Sequence, residues 1–453
     1  MRSVNPATGE TIREHCDHEW SQVEQRLLLA ETCFRSWRET SLEHRAALLR
    51  RLAQLLVDRA PQLARLMTEE MGKLAREGLA EVAKCSTVCE FYAEQGPGFL
   101  ARQSVQTEAL KSFVSFQPLG PVLAVMPWNF PFWQVLRFAA PALMAGNVAV
   151  LKHASNVPGC ATAIEDLFRE AGFPRGCFTT LLVDNSMVER IIEQPQIKAV
   201  TLTGSTPAGR AVAAAAGGQL KKVVLELGGS DPYVILEDAE LARAVSLCAT
   251  SRMINGGQSC IAAKRFIVVD SVHDDFVARL VEDLECYELG DPTHSETRLG
   301  PMARVDLRDE LHDQVRRSVS AGARCLLGGE LPAQVGAWYP ATVLIDVIAG
   351  NPAYREELFG PVATVIRARD EEDALGIAND SPFGLGAAIF TSDLARGERL
   401  AEERLEAGAC FVNDFVKSDP RLPFGGVKDS GYGRELSSFG LHEFVNVKTV
   451  VVA

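Results

Sequence analysis

The sequence predicts an α/β protein: a Rossmann-like, doubly wound unit, a second α/β unit, and a small β element that bridges outward. Three observations predict it. Short apolar runs alternate with helical segments from residue 121, the alternation restarts after Gly228-Gly229, and the last residues form an isolated β-branched run. Strands that alternate with helices across short loops pair in parallel through right-handed crossovers. A chain of 453 residues has room for about three domains at about 150 residues each.

The N-terminal part reads as largely helical. Residues 41–74 carry Leu48, Leu49, Leu52, Leu55 and Leu56 at helical spacing, and 75–98 continue the pattern. Residues 103–118, with Val105, Leu110, Phe113 and Phe116, read as strands. The first alternation places strands at 122–126, 147–151, 178–183, 199–203 and 222–227, with helices at 132–145, 158–171, 185–193 and 208–216. The second places strands at 233–236, 265–269, 323–327, 362–367, 387–390 and 409–412. The run 444–452 has no local partner, so a neighbouring subunit is expected to pair with it. No tandem repeat is present.

Composition excludes several classes. With 59 acidic and 46 basic residues the formal charge is -13, which argues against nucleic acid or an anionic membrane as the main partner. Residues 121–151 are apolar enough to span a bilayer, but Pro127, Asn129, Pro131, Arg137, Pro141 and Asn147 break them into strand, loop, helix and strand. They read as a buried core. The N-terminal residues show no apolar signal core. The 11 cysteines form no CxxC pair and no metal-ligand array, which suits free thiols in a reducing cytoplasm; no metal is expected.

Four places can carry chemistry. Cys260 follows Asn255-Gly256-Gly257-Gln258-Ser259, where two glycines allow close backbone approach to a ligand. The alternative is an ordinary buried thiol. Glu226 sits at the carboxyl end of the fifth expected parallel strand, inside Val224-Leu225-Glu226-Leu227. Burial there raises a carboxyl pKa and suits it to base work; the alternative is a strand-end ion pair. Asn129 lies between two prolines in Pro127-Trp128-Asn129-Phe130-Pro131 and reads as a fixed hydrogen-bond donor or as a turn residue. Thr203-Gly204-Ser205-Thr206-Pro207-Ala208-Gly209 joins a strand end to a helix start, a place that favours phosphate, and Lys152 faces the same crevice.

Together these motifs resemble the NAD(P)-dependent aldehyde dehydrogenase family. Pro127–Pro131, Leu151-Lys152, 203–209, Leu225–Gly229, Gly257–Cys260, 356–362 and 423–435 stand in the family's order, and the interval from Glu226 to Cys260 matches as well. The resemblance implies residues 1–102 and 119–228 as the cofactor-binding domain and 229–430 as the catalytic domain. It implies 103–118 and 440–453 as a bridging element that pairs across subunits into a homodimer or homotetramer. It implies Cys260 as nucleophile, Glu226 as the base that activates water, and Asn129 with the Cys260 amide as oxyanion donors. Glu357 and Phe359 resemble the residues that position the nicotinamide end. Trp128, Lys152, Gly204 and Ser205 fall with the cofactor.

Ser155 stands where many NAD-preferring relatives carry a glutamate. A serine removes the repulsion of a 2′-phosphate, so NADP is the expected cofactor with NAD also accepted; otherwise Ser155 is only small and permissive. His153 is read as an added positive charge. Arg137, eight residues beyond Asn129, and Ser418 resemble the substrate contacts of succinate-semialdehyde dehydrogenases. A buried arginine needs an anionic partner, and a structural ion pair is the alternative. Ile254 replaces an arginine that some of these enzymes carry before the nucleophile, and the wider motifs look like their short bacterial branch. Ile261, Ala262 and Ala263 follow the nucleophile, so no adjacent disulfide forms. The expected reaction is oxidation of succinic semialdehyde to succinate. Broad oxidation of small aliphatic aldehydes, transfer of the acyl group to coenzyme A, and an idle binding protein are the rivals.

Overall fold

The computed structural model describes residues 1–453. A first sheet runs in the order Gly431–Tyr432, Lys222–Glu226, Ala199–Thr203, Pro121–Met126, Val148–His153, Phe178–Thr180. Its five strands between Pro121 and Glu226 are parallel. Strand order reverses at Pro121–Met126, so the loops leaving it and Ala199–Thr203 part at their carboxyl ends and open a crevice. Helix Trp133–Ala145 follows the central strand and is buried along its whole length. The apolar stretch 121–151 is therefore core, and no helix is long and apolar enough to cross a membrane.

A second sheet has the order Arg324–Leu327, Thr342–Ile345, Val362–Ala368, Ala263–Val269, Asp231–Ile235, Gly386–Phe390, Ala409–Val412. Only Arg324–Leu327 is antiparallel. Alternate residues of one strand serve opposite faces: Val234 and Ile267 pack into one apolar cluster, Tyr233, Phe266 and Val268 into another. That is the period of two expected of strands buried on both sides.

Several elements differ from expectation. The helical pattern of 41–74 is two helices, Leu42–Asp58 and Ala60–Met71, with Pro61 in the first turn of the second. Proline has no N–H to continue a helix. The 178–183 strand stops at Thr180, and the 185–193 helix begins as a tighter turn at Asn185–Met187. An N-terminal hairpin, Arg2–Val4 with Thr11–Glu14, was not legible in the pattern.

The terminal strand has a partner that the local pattern did not show: Val445–Val452 pairs along one edge, antiparallel, with Lys111–Pro118 of its own chain, from Val445 opposite Pro118 to Val452 opposite Lys111. Gln103–Ser104 completes this third sheet on the other side. The two partners are remote in sequence, so local pattern does not reveal the pairing.

Asn147 ties the three-stranded sheet to the first one. Its side-chain oxygen accepts from the amides of Leu119 (2.8 Å) and Gly120 (3.1 Å), and its amide donates to the carbonyl of Phe444 at 2.9 Å. The side chain is fully buried. Replacing Asn147 with Ala strands three backbone groups away from water. A loss of about 3 kcal/mol is expected, read as a lower urea midpoint at unchanged slope.

Candidate active site

The Cys260 loop is shaped by backbone that most residues avoid. Asn255, Gly256 and Gly257 all have positive φ, at 57°, 60° and 73°. A side chain at Gly257 would run into the Gly360 carbonyl, so this glycine lets the cysteine loop lie against the Glu357–Gly360 loop. The Asn255 side-chain Nδ2 donates to the carbonyls of Asn129 (2.8 Å) and Gln258 (3.0 Å). The Asn129 side chain donates to the same Gln258 carbonyl at 3.1 Å. This shared acceptor holds Asn129, buried, beside the cysteine loop.

Cys260 stands where two cavities meet. One, of about 250 Å³, is lined by Trp128, Gly204, Ser205, Glu357 and Phe359. The other, of about 460 Å³, is lined by Arg137, Ser418, Trp133, Phe130 and Lys84. Asn129 lines the first; Gln134 lines both. Burial pushes the Cys260 thiol up to about 12, against the pull of Lys264 and Arg137. The resting thiol is therefore neutral.

On the first side, the Glu357 carboxylate accepts from the Gly229 amide (3.0 Å) and pairs with Lys264 at 3.4 Å. Lys264 in turn donates to the carbonyls of Cys260 (2.8 Å) and Ser259 (2.9 Å). It joins the Cys260 loop to the Glu357 loop. Trp128 and Phe359 meet edge to face, with centroids 5.8 Å apart. Helix Thr206–Gly218 begins at Ser205 with no side-chain cap, which leaves its first amides free at the cavity edge. Such a terminus suits a phosphate, so the residues present fit a dinucleotide.

Lys152 and Ser155 lie one strand farther out and line neither cavity. Lys152 is buried and donates to the Asn185 side chain. Ser155 is exposed in the turn after Val148–His153. His153 corrects an expectation. It is buried against the Pro131 carbonyl (2.9 Å), and desolvation lowers it to about 4, so it adds no positive charge.

Glu226 lines neither cavity. It is buried, neither carboxylate oxygen has a hydrogen-bond partner, and it lies where a Cβ on Gly425 would come within 2.7 Å. Burial pushes its pKa well up; Arg137 pulls it down and Glu435 pushes it further up. Arg137 makes a buried ion pair with Glu435, and its guanidinium lies over the Phe424 ring at 4.9 Å. So the structural alternative for Arg137 is realised while Arg137 still walls the second cavity. Ser418 accepts from Lys84 Nζ at 2.7 Å.

Sequence reasoning missed Lys84, Glu81, Lys264 and Glu435. Glu81 pairs with Lys73 and accepts from the amides of Phe132 and Trp133, both 2.9 Å, fixing the start of the buried helix. A signal existed: Glu77, Glu81 and Lys84 recur on one face of helix Ala75–Phe99, where an apolar stripe is the rule. All 11 cysteines are free, and no group of His, Cys, Asp and Glu is gathered to hold a metal.

Comparison with known proteins agrees with this geometry. The family model described as the aldehyde dehydrogenase family matches residues 1–450. A Synechocystis protein named "probable succinate-semialdehyde dehydrogenase (NADP+)" is 50% identical over 453 residues, covering 100% of both chains. An Escherichia coli protein named succinate semialdehyde dehydrogenase (NAD(P)+) is 49% identical over 448 residues, 99% of this chain and 97% of that one. Among solved structures, succinic semialdehyde dehydrogenase from Streptococcus pyogenes, in complex with NADP+, superposes with a TM-score of 0.97 at 36% identity, covering 100% of this chain and 99% of that one. The chain belongs to the aldehyde dehydrogenase family, and it is an enzyme.

The half-buried thiol gives a direct expectation. With its pKa raised, the thiolate fraction of Cys260 grows about tenfold per pH unit. Alkylation of Cys260 by iodoacetamide, followed by peptide mass spectrometry, is expected to accelerate from pH 7 to 10 without a plateau.

Proposed function

We propose that this chain oxidises succinic semialdehyde to succinate, with NADP as the preferred hydride acceptor and NAD also accepted. The observation that carries the reading is the position of Cys260 at the junction of the two cavities. The relatives named for this substrate and cofactor support it.

Trp128, Gly204, Ser205, Glu357 and Phe359 would hold the nicotinamide and phosphates, with Lys152 and Ser155 toward the adenosine ribose. When bound, NADP supplies a two-electron hydride acceptor. The aldehyde enters from the second cavity, its far end toward Arg137 and Ser418. The Cys260 thiol loses its proton to solvent and the thiolate bonds the carbonyl carbon, forming a thiohemiacetal oxyanion. The Asn129 amide and the Cys260 backbone N–H stabilise the oxyanion, each worth about 3 kcal/mol of barrier. Loss of hydride leaves a thioester on Cys260. Glu226 swings out from beneath Gly425 into water, where it ionises; the carboxylate takes a proton from water, and the hydroxide so formed displaces the thiolate. A carboxyl whose pKa is raised holds such a proton more firmly than a surface carboxylate does.

The domain division follows the sheets: 1–102 and 119–228 bind the cofactor, 229–430 carry the nucleophile, and 103–118 with 440–453 form the bridge. The outer edge of Val445–Val452 is unpaired and exposes Val447, Val451 and Val452. A strand edge of that kind is covered by a second copy, giving a homodimer or a dimer of dimers. Free cysteines throughout fit a reducing cytoplasm.

A second reading, broad oxidation of small aliphatic aldehydes, draws on the Arg137–Glu435 pair, which cancels the arginine's charge. Initial rates with succinic semialdehyde and butanal, each with NADP and NAD, decide between them. The first reading expects a clear excess of kcat/KM for the semialdehyde with NADP; equal values for both aldehydes sink it. Ser155→Glu is expected to move cofactor preference to NAD. Glu226→Gln is expected to release one NADPH per site in a burst, then turn over about 100-fold more slowly.

A further inference from the structure

We infer that Lys84, which no sequence motif marks, is the cation that holds the far carboxylate of the substrate, so that the second cavity selects short aldehydes bearing an acid at the opposite end. The inference rests on the proposed semialdehyde reading.

Lys84 lies on helix Ala75–Phe99 and lines the same cavity as Cys260. Its ammonium donates to Ser418 Oγ at 2.7 Å and rests over the Trp133 ring at 4.3 Å. No carboxylate lies within ion-pair distance of it, so at least one of its three N–H donors is open to a ligand. The acids around it are committed elsewhere. Glu81 serves Lys73 and the amides of Phe132 and Trp133, and Asp419 serves Arg421. Glu77 accepts from the Asn255 amide, and burial pushes its pKa up.

Arg137 plays a different part. Its charge is engaged by Glu435, and handing it to a substrate would strip a buried carboxylate of its counter-ion. Its Nη2 is buried without a hydrogen-bond partner. Lys84 supplies the net charge and Ser418 holds it in place.

Burial and the Arg137 charge lower Lys84 to about 8, while Cys85, Glu81 and Asp419 pull it upward. Ser418 faces it from the neighbouring loop. Lys84 is thus cationic below about pH 8 and loses its charge above it, and an acid in the cavity favours the charged form.

The test is steady-state kinetics of wild type, Lys84→Met and Lys84→Arg with succinic semialdehyde and butanal. The wild type is expected to prefer the semialdehyde, with KM for it rising above pH 8 and KM for butanal flat. Lys84→Met is expected to cut the semialdehyde-to-butanal ratio of kcat/KM about 30-fold, mostly through KM, and to erase that pH dependence. Lys84→Arg is expected to restore most of the ratio. A wild type that prefers the semialdehyde, beside a Lys84→Met that keeps the same ratio, overturns the assignment of Lys84. A wild type that treats the two aldehydes alike removes the semialdehyde reading beneath it.

Discussion

The site depends on one buried ion pair. Arg137 sits in a helix with no exposed residue, and its charge is tolerable there only because Glu435 meets it. The pair joins the helix that follows the central strand to the C-terminal loop that returns to the first sheet at Gly431–Tyr432. It also sets the field around Glu226, whose proton affinity Arg137 lowers and Glu435 raises. Breaking such a pair from one side leaves a bare buried charge, at a cost of about 3–5 kcal/mol. Arg137 is therefore a structural cation first.

The two cavities come from topology. The crevice where strand order reverses puts Trp128, Asn129, Gly204 and Ser205 on one side of the thiol. The second α/β unit brings Cys260, Glu357 and Phe359 to the same place. The left-handed turn at Asn255–Gly257 and the Lys264 contacts lock the two catalytic loops together.

Burial shifts the titratable groups of the site toward their uncharged forms. Burial raises both the Cys260 thiol and the Glu226 carboxyl, and it lowers His153. A neutral thiol resists oxidation and alkylation while no substrate is present. Glu226 is tucked under Gly425 without a hydrogen-bond partner.

Much of this was legible in the chain. The strand and helix alternation follows from apolar periodicity, which is a local property, and it marked both parallel sheets and the buried 121–151 segment. The glycines around Cys260 and the acid inside an apolar strand are likewise visible, because their cost is local. What the tertiary structure decided is pairing between distant residues. Val445–Val452 met Lys111–Pro118, Arg137 met Glu435, and Lys84 met Ser418. His153 had its proton removed by a core that only packing creates. Sequence by itself determined which residues could carry charge or nucleophilicity; the fold decided which of those charges are cancelled, since Coulomb partners and desolvation depend on distances that adjacency in the chain does not contain.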